Sequence, residues 1–430
     1  MSHLRHRPCS SRWGALTACG WALLAIFVAT SAWMGDPAAH ARLFECAYLA
    51  GMVGFVLLVW VVHRNRRPHG RWMLWFAGCI ALRAGLAAVT PSDDLYRYAW
   101  EGRVQLAGYN PFNHAPDDPL LAALRDSGWA HINHPSYKAI YSPVAQWVFL
   151  ATAALSPSIY AFKAVLVTFD LLTVWLLAEW LKRKRRSPHI AFAYGLCPLV
   201  LTAFGIQGHL DSLMLAALAG AGWALAAKRP YHAAVLIGLA IAVKPVALLA
   251  AGWLIVTRWR AGLICLAVAA ATYLPYLSAG FGLFESLARF STEQEFFGFW
   301  QTLASPWIGR RPAMVVGCGL LMIHLAWARR RKQPFDEYLG SAFGLLVLVM
   351  PVVHFWYISW VWLTAALRPS IAWLTLTGTM VLCFEAERVR YRTGQWEMPE
   401  WVWYAVYVPF VVVVVVDTTR RIADNGPGNS

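Results

Sequence analysis

The sequence predicts an all-α integral membrane protein that crosses the bilayer many times. Three observations support this fold class. Of the 430 residues, 59% are hydrophobic and only 14% are charged, whereas soluble domains carry about 25% charged residues. Apolar runs of roughly twenty residues, long enough for a helix to cross a bilayer, recur along the chain. Basic residues gather in short clusters between these runs.

The positive charge is placed as expected for a membrane protein. The net charge is +15, which in a soluble protein would suggest nucleic-acid binding. Here the basic clusters separate apolar runs, as the positive-inside rule expects of cytoplasmic loops. We therefore expect the lipid bilayer, and no nucleic acid, as a partner. The clusters occupy residues 5–12, 64–71, 182–186, 228–229, 258–260, 329–332 and 420–421.

The apolar runs predict about twelve to fourteen transmembrane helices, because the shorter runs need not cross fully. The first run follows a basic tail, as in a signal peptide, but its length and the later runs favour a transmembrane helix. We expect one transmembrane domain, residues 1–430, with both termini in the cytoplasm. The predicted spans are residues 13–34, 43–62, 72–89, 160–181, 189–206, 213–227, 231–243, 246–257, 263–279, 313–328, 338–353, 358–367, 371–384 and 401–416.

Two polar segments are predicted to lie outside the cytoplasm. They are the first outer loop, residues 91–145, and the second outer loop, residues 280–312. The apolar run 141–155 is short and is predicted to lie beside the membrane or to re-enter it. The break at Lys244 and Pro245 predicts a tight hairpin with the lysine at its outer tip, since one continuous span would reverse the sidedness of all later basic clusters.

Two adjacent carboxylates, Asp93 and Asp94, open the first outer loop directly after a predicted span. A carboxylate at this boundary can be partly desolvated and can act as a base near neutral pH. Alternatively, Ser92 and the two aspartates cap the amphipathic stretch 95–106 by accepting hydrogen bonds from its first backbone N–H groups. The spacing of these residues leaves both interpretations open.

A series of short motifs follows in order through the outer segments. They are Asp94-Leu95-Tyr96, Glu101-Gly102-Arg103, Gly108-Tyr109-Asn110-Pro111-Phe112, Tyr141-Ser142-Pro143, Gln207-Gly208-His209-Leu210-Asp211, Val243-Lys244-Pro245 and His354-Phe355-Trp356-Tyr357. This ordered set resembles the GT-C type glycosyltransferases that use polyprenyl-phosphate sugars. Within them, it is most similar to the bacterial and GPI-type mannosyltransferases.

The chain also departs from the pattern of that family. It has two more spans than usual before the first outer loop. Phe112 replaces the common tyrosine, and Phe355 stands where proline is frequent. Because the aspartate is doubled, either Asp93 or Asp94 could match the catalytic residue of the family. Asp94 is favoured, since Asp-x-Tyr is the closer local match.

The resemblance implies a GT-C-like fold and an inverting transfer of a sugar, with mannose expected, from a polyprenyl-phosphate donor. The acceptor would be a lipid-linked glycan or glycolipid on the outer face. Asp94 would take the proton from the acceptor hydroxyl, and cations would stabilise the leaving phosphate. Lys244 is the favoured cation, with Arg97, Arg103 and Arg390 as further candidates. The alternative for Lys244 is snorkelling to the membrane interface.

Further residues are expected to bind substrate: Tyr96, Glu101, Tyr141, His209, Asp211, His354 and Tyr357. Asp211 could instead cap the following helix, and His354 could be a general acid or an interfacial histidine. A divalent cation held by His209, Asp211, Glu293 and His354 is conceivable, but no ligand spacing supports it, so no metal or cofactor is predicted. The cysteines predict neither a disulfide nor a metal site.

Two features of the spans have structural interpretations. Asp170 lies near the centre of a predicted span, where a charge costs about 2.5–3.5 kcal/mol on insertion scales, so it must face protein. Lys163 lies on the same helical face and is its expected partner. Trp356 and Trp360 are predicted chiefly as part of the aromatic belt at the membrane interface.

A transporter or flippase for a lipid or small solute is the alternative function, because intramembrane charges and broken helices also mark transport paths. A non-catalytic assembly partner is a third. The polar residues gather in the outer loops rather than near the midplane of two related halves, which favours the enzyme. The expected location is the plasma (inner) membrane.

Overall fold

The computed structural model describes residues 9–64 and 72–424 of the chain. These residues form twenty α-helices and contain no strand, only isolated bridges of Val352 with Phe296 and Phe297. The basic residues predicted to be cytoplasmic at positions 5–8 and 65–71 lie outside the described part. The helices are α1 (Cys9–Met34), α2 (Ala41–Arg64), α3 (Trp72–Gly85), α4 (Asp94–Leu106), α5 (Pro143–Leu155), α6 (Ile159–Arg183), α7 (Phe192–Gly195), α8 (Pro198–Val200), α9 (Asp211–Ala226), α10 (Pro230–Ile241), α11 (Leu248–Thr257), α12 (Trp259–Ala271), α13 (Glu285–Glu293), α14 (Phe299–Ile308), α15 (Arg310–Arg330), α16 (Phe335–Val349), α17 (Ile358–Ala365), α18 (Ile371–Thr379), α19 (Phe384–Thr393) and α20 (Glu400–Asp424).

Several of these helices can cross a membrane. By length and composition, five helices of the described chain qualify: α1, α2, α6, α15 and α20. Two helix pairs with sharp bends of 56° and 91° raise the number to seven if each pair is one span. Another five apolar helices are shorter. The prediction of an all-α, multi-pass protein is thus confirmed, while the count of twelve to fourteen spans stays a prediction.

The second outer loop, residues 280–312, is mostly helical. After α12 the chain bends by 91° into a 3-10 helix, Leu274–Phe284, which continues into α13, and α14 follows. The bend lies where Pro275 enters the second helix near its first turn, a position that proline tolerates because its missing N–H needs no partner there.

The loops lie at two ends of the helix bundle. Lys184 pairs with Asp336 at 2.6 Å, and the Arg186 guanidinium donates to the carbonyl oxygen of Leu367 at 2.7 Å. These contacts join three loops that are predicted to be cytoplasmic. Basic clusters from different parts of the chain therefore lie at one end of the bundle.

The two outer loops meet each other at the opposite end. The Tyr137 hydroxyl donates to Glu293 at 2.8 Å, and Lys138 pairs with Glu285 at 2.8 Å. Polar contacts thus join the two outer loops.

Buried charges inside the bundle are paired, although one pairing differs from the prediction. Asp170 binds Arg83 of α3 at 2.6 Å, not Lys163. Lys163 instead donates to the carbonyl oxygens of Leu86 and Val89, at 2.9 and 2.7 Å. The lysine thereby binds two backbone carbonyl groups of the turn that follows α3. The two buried charged residues of α6, Lys163 and Asp170, therefore both have structural roles.

Helix α4 of the first outer loop packs closely against α5, which follows the loop. At about 1.5 Å per residue, the 13 residues of α5 extend about 20 Å, so α5 is too short to cross the hydrocarbon core. Tyr98 of α4 stacks on Phe149 of α5 with ring centroids 4.6 Å apart. Gly102 allows this approach, since a Cβ atom there would lie 2.5 Å from the Phe149 carbonyl oxygen.

Replacing Gly102 with valine is expected to destabilise the protein by about 1–3 kcal/mol, because the new side chain would force the two helices apart. Lower thermal stability of the detergent-purified protein would show the effect. Gly319→Val is the matched control, since a Cβ atom at position 319 would contact nothing within 4 Å. Equal stability of the two variants would contradict the prediction.

Candidate active site

Four segments distant in sequence meet at the outer end of the bundle. They are the start of α4, the turn before α9, the break between α10 and α11, and the residues before α17. These segments bring Asp94, His209 and Lys244 close enough to His354 for electrostatic interaction. Gly208, with φ +72°, supplies the left-handed turn that precedes α9.

The Asp94 carboxylate is the centre of a hydrogen-bond network. One oxygen faces His209 Nδ1 at 3.2 Å, and the other accepts from the Asn133 amide at 3.0 Å. The hydroxyls of Tyr98 and Tyr141 lie at 3.4 Å, one on each oxygen. The two tyrosine contacts are long, so an incoming hydroxyl could replace either one at little cost.

These contacts set the protonation state of Asp94. Burial raises the pKa of this carboxyl, but the hydrogen bond and charge of His209, with the Asn133 amide, outweigh burial and lower the pKa to about 2. Asp94 is therefore ionised throughout the neutral range, and its side chain remains 18% exposed. A substrate hydroxyl can reach a charged, oriented carboxylate.

Asp93 has a different environment. It is the N-cap residue of α4, but its side chain makes no capping hydrogen bond. Its carboxylate instead binds Arg390 of α19 at 2.8 Å. The Ser92 hydroxyl accepts from the Asp94 backbone N–H at 3.3 Å and provides the cap contact. The capping interpretation therefore applies to the serine rather than to the two carboxylates.

His209 is held from three sides. Its Nε2 lies 2.8 Å from the Gln207 side-chain oxygen, while Nδ1 faces Asp94. Its ring stacks on Trp356 with centroids 3.6 Å apart and an interplanar angle of 15°. The buried imidazole orients the Asp94 carboxylate through this fixed position.

His354 also stacks on Trp356, at 4.3 Å, and on Phe296, at 5.0 Å. In the described part of the chain, its ring has no hydrogen-bond partner. Burial lowers the pKa of His354 to about 3. The negative charge of Asp94 opposes this shift, and the positive charges of His209 and Lys244 add to it. The ring is therefore neutral at physiological pH and can offer one donor and one acceptor to a ligand.

Lys244 lies in an aromatic setting. Its ammonium pairs with Asp211 at 2.8 Å and lies 4.3 Å from the ring centroid of Tyr357 and 4.8 Å from that of Trp360. Asp211 also accepts the Trp360 indole N–H at 2.5 Å. An ammonium has three donors, and only one is used by Asp211. The side chain is 22% exposed, so the remaining N–H groups can meet a ligand.

Three residues predicted to bind substrate have structural partners instead. Arg97 is buried, donates to Glu101 at 2.6 Å and donates to backbone carbonyl groups of the first outer loop. Glu101 also accepts from Gln146 at 2.5 Å. Arg103 binds Asp126 and a carbonyl oxygen of the same loop. These side chains stabilise the first outer loop, and none of them forms a hydrogen bond with Asp94 in the described part of the chain.

Other predicted residues lie at or beside the centre. Tyr141 contacts Asp94 directly, and Tyr357 lies beneath Lys244. Tyr96 points to a neighbouring cavity, where it stacks on His131 at 4.8 Å. Two members of the predicted phosphate-binding set thus reach the outer cleft: Lys244 at its centre and Arg390 beside Asp93.

Sequence reasoning missed the roles of Asn133 and Gln207. One amide among many polar loop residues carries no local signal, and Gln207 belonged to a recognised motif without an assigned role. Trp360 was predicted to belong to the aromatic belt at the membrane interface. That prediction is wrong, because the side chain is fully buried and binds Asp211. Trp356 packs on both histidines.

The described residues contain no group of three histidine, cysteine or acidic side chains arranged to hold a metal ion. Glu293, one of the conceivable ligands, binds Tyr137 and Arg289 in the outer loops. Asp211 is paired with Lys244. The conceivable cation site is therefore not assembled in this structure.

The fold and this polar centre define a multi-pass membrane enzyme. The chain belongs to the alpha-(1->6)-mannopyranosyltransferase family, whose N-terminal domain matches residues 13–260, more than half of the sequence. It is thus a membrane mannosyltransferase, as the motifs predicted, and takes a sugar donor and a glycan acceptor. No curated protein and no solved structure matches the chain significantly.

The family match covers only part of the candidate site. Asp94, His209 and Lys244 lie within residues 13–260. His354 and Arg390 lie beyond that range, as does the aromatic setting of Lys244. The second half of the chain completes a centre that the matched domain begins.

Proposed function

We propose that this protein transfers mannose from a polyprenyl-phosphate donor to a glycan acceptor at the outer membrane face, with inversion at the anomeric carbon. The observation that supports this most is the pair of opposite charges at one cleft. Asp94 offers an ionised carboxylate, and Lys244 offers a partly free ammonium within electrostatic reach of it. These are the two charges that such a displacement requires.

In the proposed step, the acceptor hydroxyl attacks the anomeric carbon of the donor. The new carbon–oxygen bond forms as the bond to the phosphate oxygen breaks, and polyprenyl phosphate leaves with the electron pair. Asp94 receives the hydroxyl proton as general base. Because the pKa of Asp94 is low, the proton moves late, after the attacking oxygen has become strongly acidic. His209 and Asn133 keep the carboxylate oriented throughout.

Lys244 is the proposed binding group for the donor phosphate. Its free N–H groups would form charge-assisted hydrogen bonds with the phosphate oxygens, and these bonds strengthen as negative charge develops. His354 would add one neutral hydrogen bond on the same side. Arg390 is bound to Asp93, so we do not include it among the groups that bind the donor phosphate.

We also propose that the active-site end faces away from the cytoplasm of the plasma membrane. Basic clusters lie at the other end of the bundle, joined by the contacts of Lys184 and Arg186. The positive-inside rule places such clusters in the cytoplasm. Both termini would then be cytoplasmic.

The direct test is transfer of radiolabelled mannose by the purified protein in liposomes. Polyprenyl-phosphate mannose is expected to label a mannoside acceptor, whereas a water-soluble nucleotide mannose is not. The Asp94→Asn variant, at equal protein level, is the negative control. Transfer from the nucleotide sugar alone would overturn the donor assignment while leaving the mannosyltransferase family unaffected.

The pH dependence of transfer tests the role of His209. Since the pKa of Asp94 is about 2, its protonation is expected not to reduce kcat/KM above about pH 4. Burial raises the pKa of Asp94, and His209 is the group that lowers it most. Replacing His209 with glutamine should therefore raise the pKa of Asp94 and move the acid limb of the pH profile to higher pH. His114→Gln, whose ring pairs with Asp118 instead, is the control. An unchanged acid limb in the His209 variant would contradict this role.

A further inference from the structure

A cavity of about 430 Å³ lies beside the proposed catalytic centre. Asp93 and Gln207 line it, but neither Asp94 nor Lys244 does. It therefore adjoins the base without containing the proposed phosphate-binding group. Its other polar and aromatic walls include Asp36, Tyr96, His131, Glu387, Arg390 and Tyr391.

Two side chains in this cavity have unused hydrogen-bonding capacity. Gln207 is only 8% exposed, and its oxygen is engaged by His209, but its amide nitrogen has no hydrogen-bond partner among the described residues. The Glu387 carboxyl likewise accepts no hydrogen bond from the described chain, although Arg390 interacts with it electrostatically. Both groups line the cavity, so a ligand bound there could use this free hydrogen-bonding capacity.

The charge of the cavity indicates which ligand it can take. Three carboxyl groups, from Asp36, Asp93 and Glu387, and one guanidinium, from Arg390, line it. The negatively charged carboxylates would repel a phosphate. Carboxylates and amides can instead form hydrogen bonds with the hydroxyls of a neutral sugar. Burial and the nearby Asp93 raise the pKa of Glu387 to about 7, so near neutral pH this carboxyl can donate as well as accept. The stacked ring of Tyr96 offers an apolar face.

We propose that this cavity is the acceptor subsite and that it holds a neutral hexose of the acceptor glycan. The inference rests on the proposed function, because it takes Asp94 as the base. A hexose in the cavity would contact Gln207 and Glu387 and present one hydroxyl to the exposed side of Asp94. Donor and acceptor would then approach the base from two chemically different sides: a cationic and aromatic side at Lys244, and an acidic side at Glu387.

The test separates the kinetic constants of the two substrates. Glu387→Ala is expected to raise the KM for octyl mannoside about tenfold or more, since a hydrogen-bond partner of a sugar hydroxyl is lost. The KM for polyprenyl-phosphate mannose, and its slow hydrolysis by water without acceptor, should stay unchanged. Glu387→Gln should recover part of the affinity. Glu337→Ala, at the opposite end of the bundle, is the matched control.

Direct binding of octyl mannoside to the purified variants provides the second measurement. Weaker binding to Glu387→Ala than to Glu337→Ala supports the acceptor subsite, even if the polyprenyl-phosphate donor proves wrong. Equal binding and equal acceptor KM in these two variants would overturn it. A parallel rise in the KM of both substrates would also overturn it, because the cavity would then serve the donor. Failure of wild-type transfer from the prenyl donor would instead contradict the proposed function.

Discussion

Replacing Asp94 with asparagine is expected to lower kcat for mannose transfer by about 10²–10⁴-fold, the usual contribution of a positioned general base. The amide preserves the size of the side chain and can still meet Asn133 and His209, but it cannot receive the acceptor proton. Initial rates in liposomes with saturating donor and acceptor would measure the loss.

The neighbouring Asp93→Asn variant is the internal control for this prediction. Its carboxylate binds Arg390 and makes no contact with His209, so we expect a much smaller loss. Because Asp93 also lines the acceptor cavity, that loss should appear mainly in the acceptor KM. A larger loss in kcat for Asp93→Asn than for Asp94→Asn would assign the base to Asp93.

Replacing Lys244 with methionine is expected to reduce transfer by about 10²–10³-fold, the typical cost of removing one electrostatic stabiliser of a transition state. The variant should also be less stable by about 2–3 kcal/mol, since Asp211 is left buried without its cation. The loss is at the low end for a broken buried ion pair because the lysine is partly exposed to solvent. Donor KM, kcat and thermal stability in detergent would all be measured.

A double variant distinguishes the catalytic role of Lys244 from its structural role. Adding Asp211→Asn to Lys244→Met removes the unpaired charge, while the new amide can still accept the Trp360 N–H. Stability should recover, whereas transfer should remain low because the phosphate still lacks its cation. Recovery of transfer together with stability would show that Lys244 only supports the fold.

The pattern of apolar runs predicted the class of fold because membrane insertion depends on local hydrophobicity. It did not predict α13, since a polar amphipathic helix has the composition of a loop, and it did not predict α14, whose ten residues are too few to cross a bilayer. Nor did it predict that Arg83 pairs with Asp170. A charged residue near a helix end was equally compatible with a position at the membrane interface.

The candidate site was predicted in part. The ordered motifs pointed to Asp94, His209 and Lys244, which the structure brings to one end of the bundle with His354. Glu101 and Arg103 came from the same motifs, yet they stabilise the first outer loop. A charged side chain has the same local sequence signature whether it binds a substrate or a neighbouring segment.

The sequence by itself determined that this is a helical membrane protein, favoured an enzyme over a transporter, and indicated which polar segments carry the chemistry. Only the tertiary structure decided how those polar groups are used. Asp94 is held ionised by His209, and Arg97 is occupied by Glu101 and loop carbonyl groups. The physical reason is that a hydrogen bond joins partners far apart in the chain, whereas hydrophobicity and charge placement are properties of each segment.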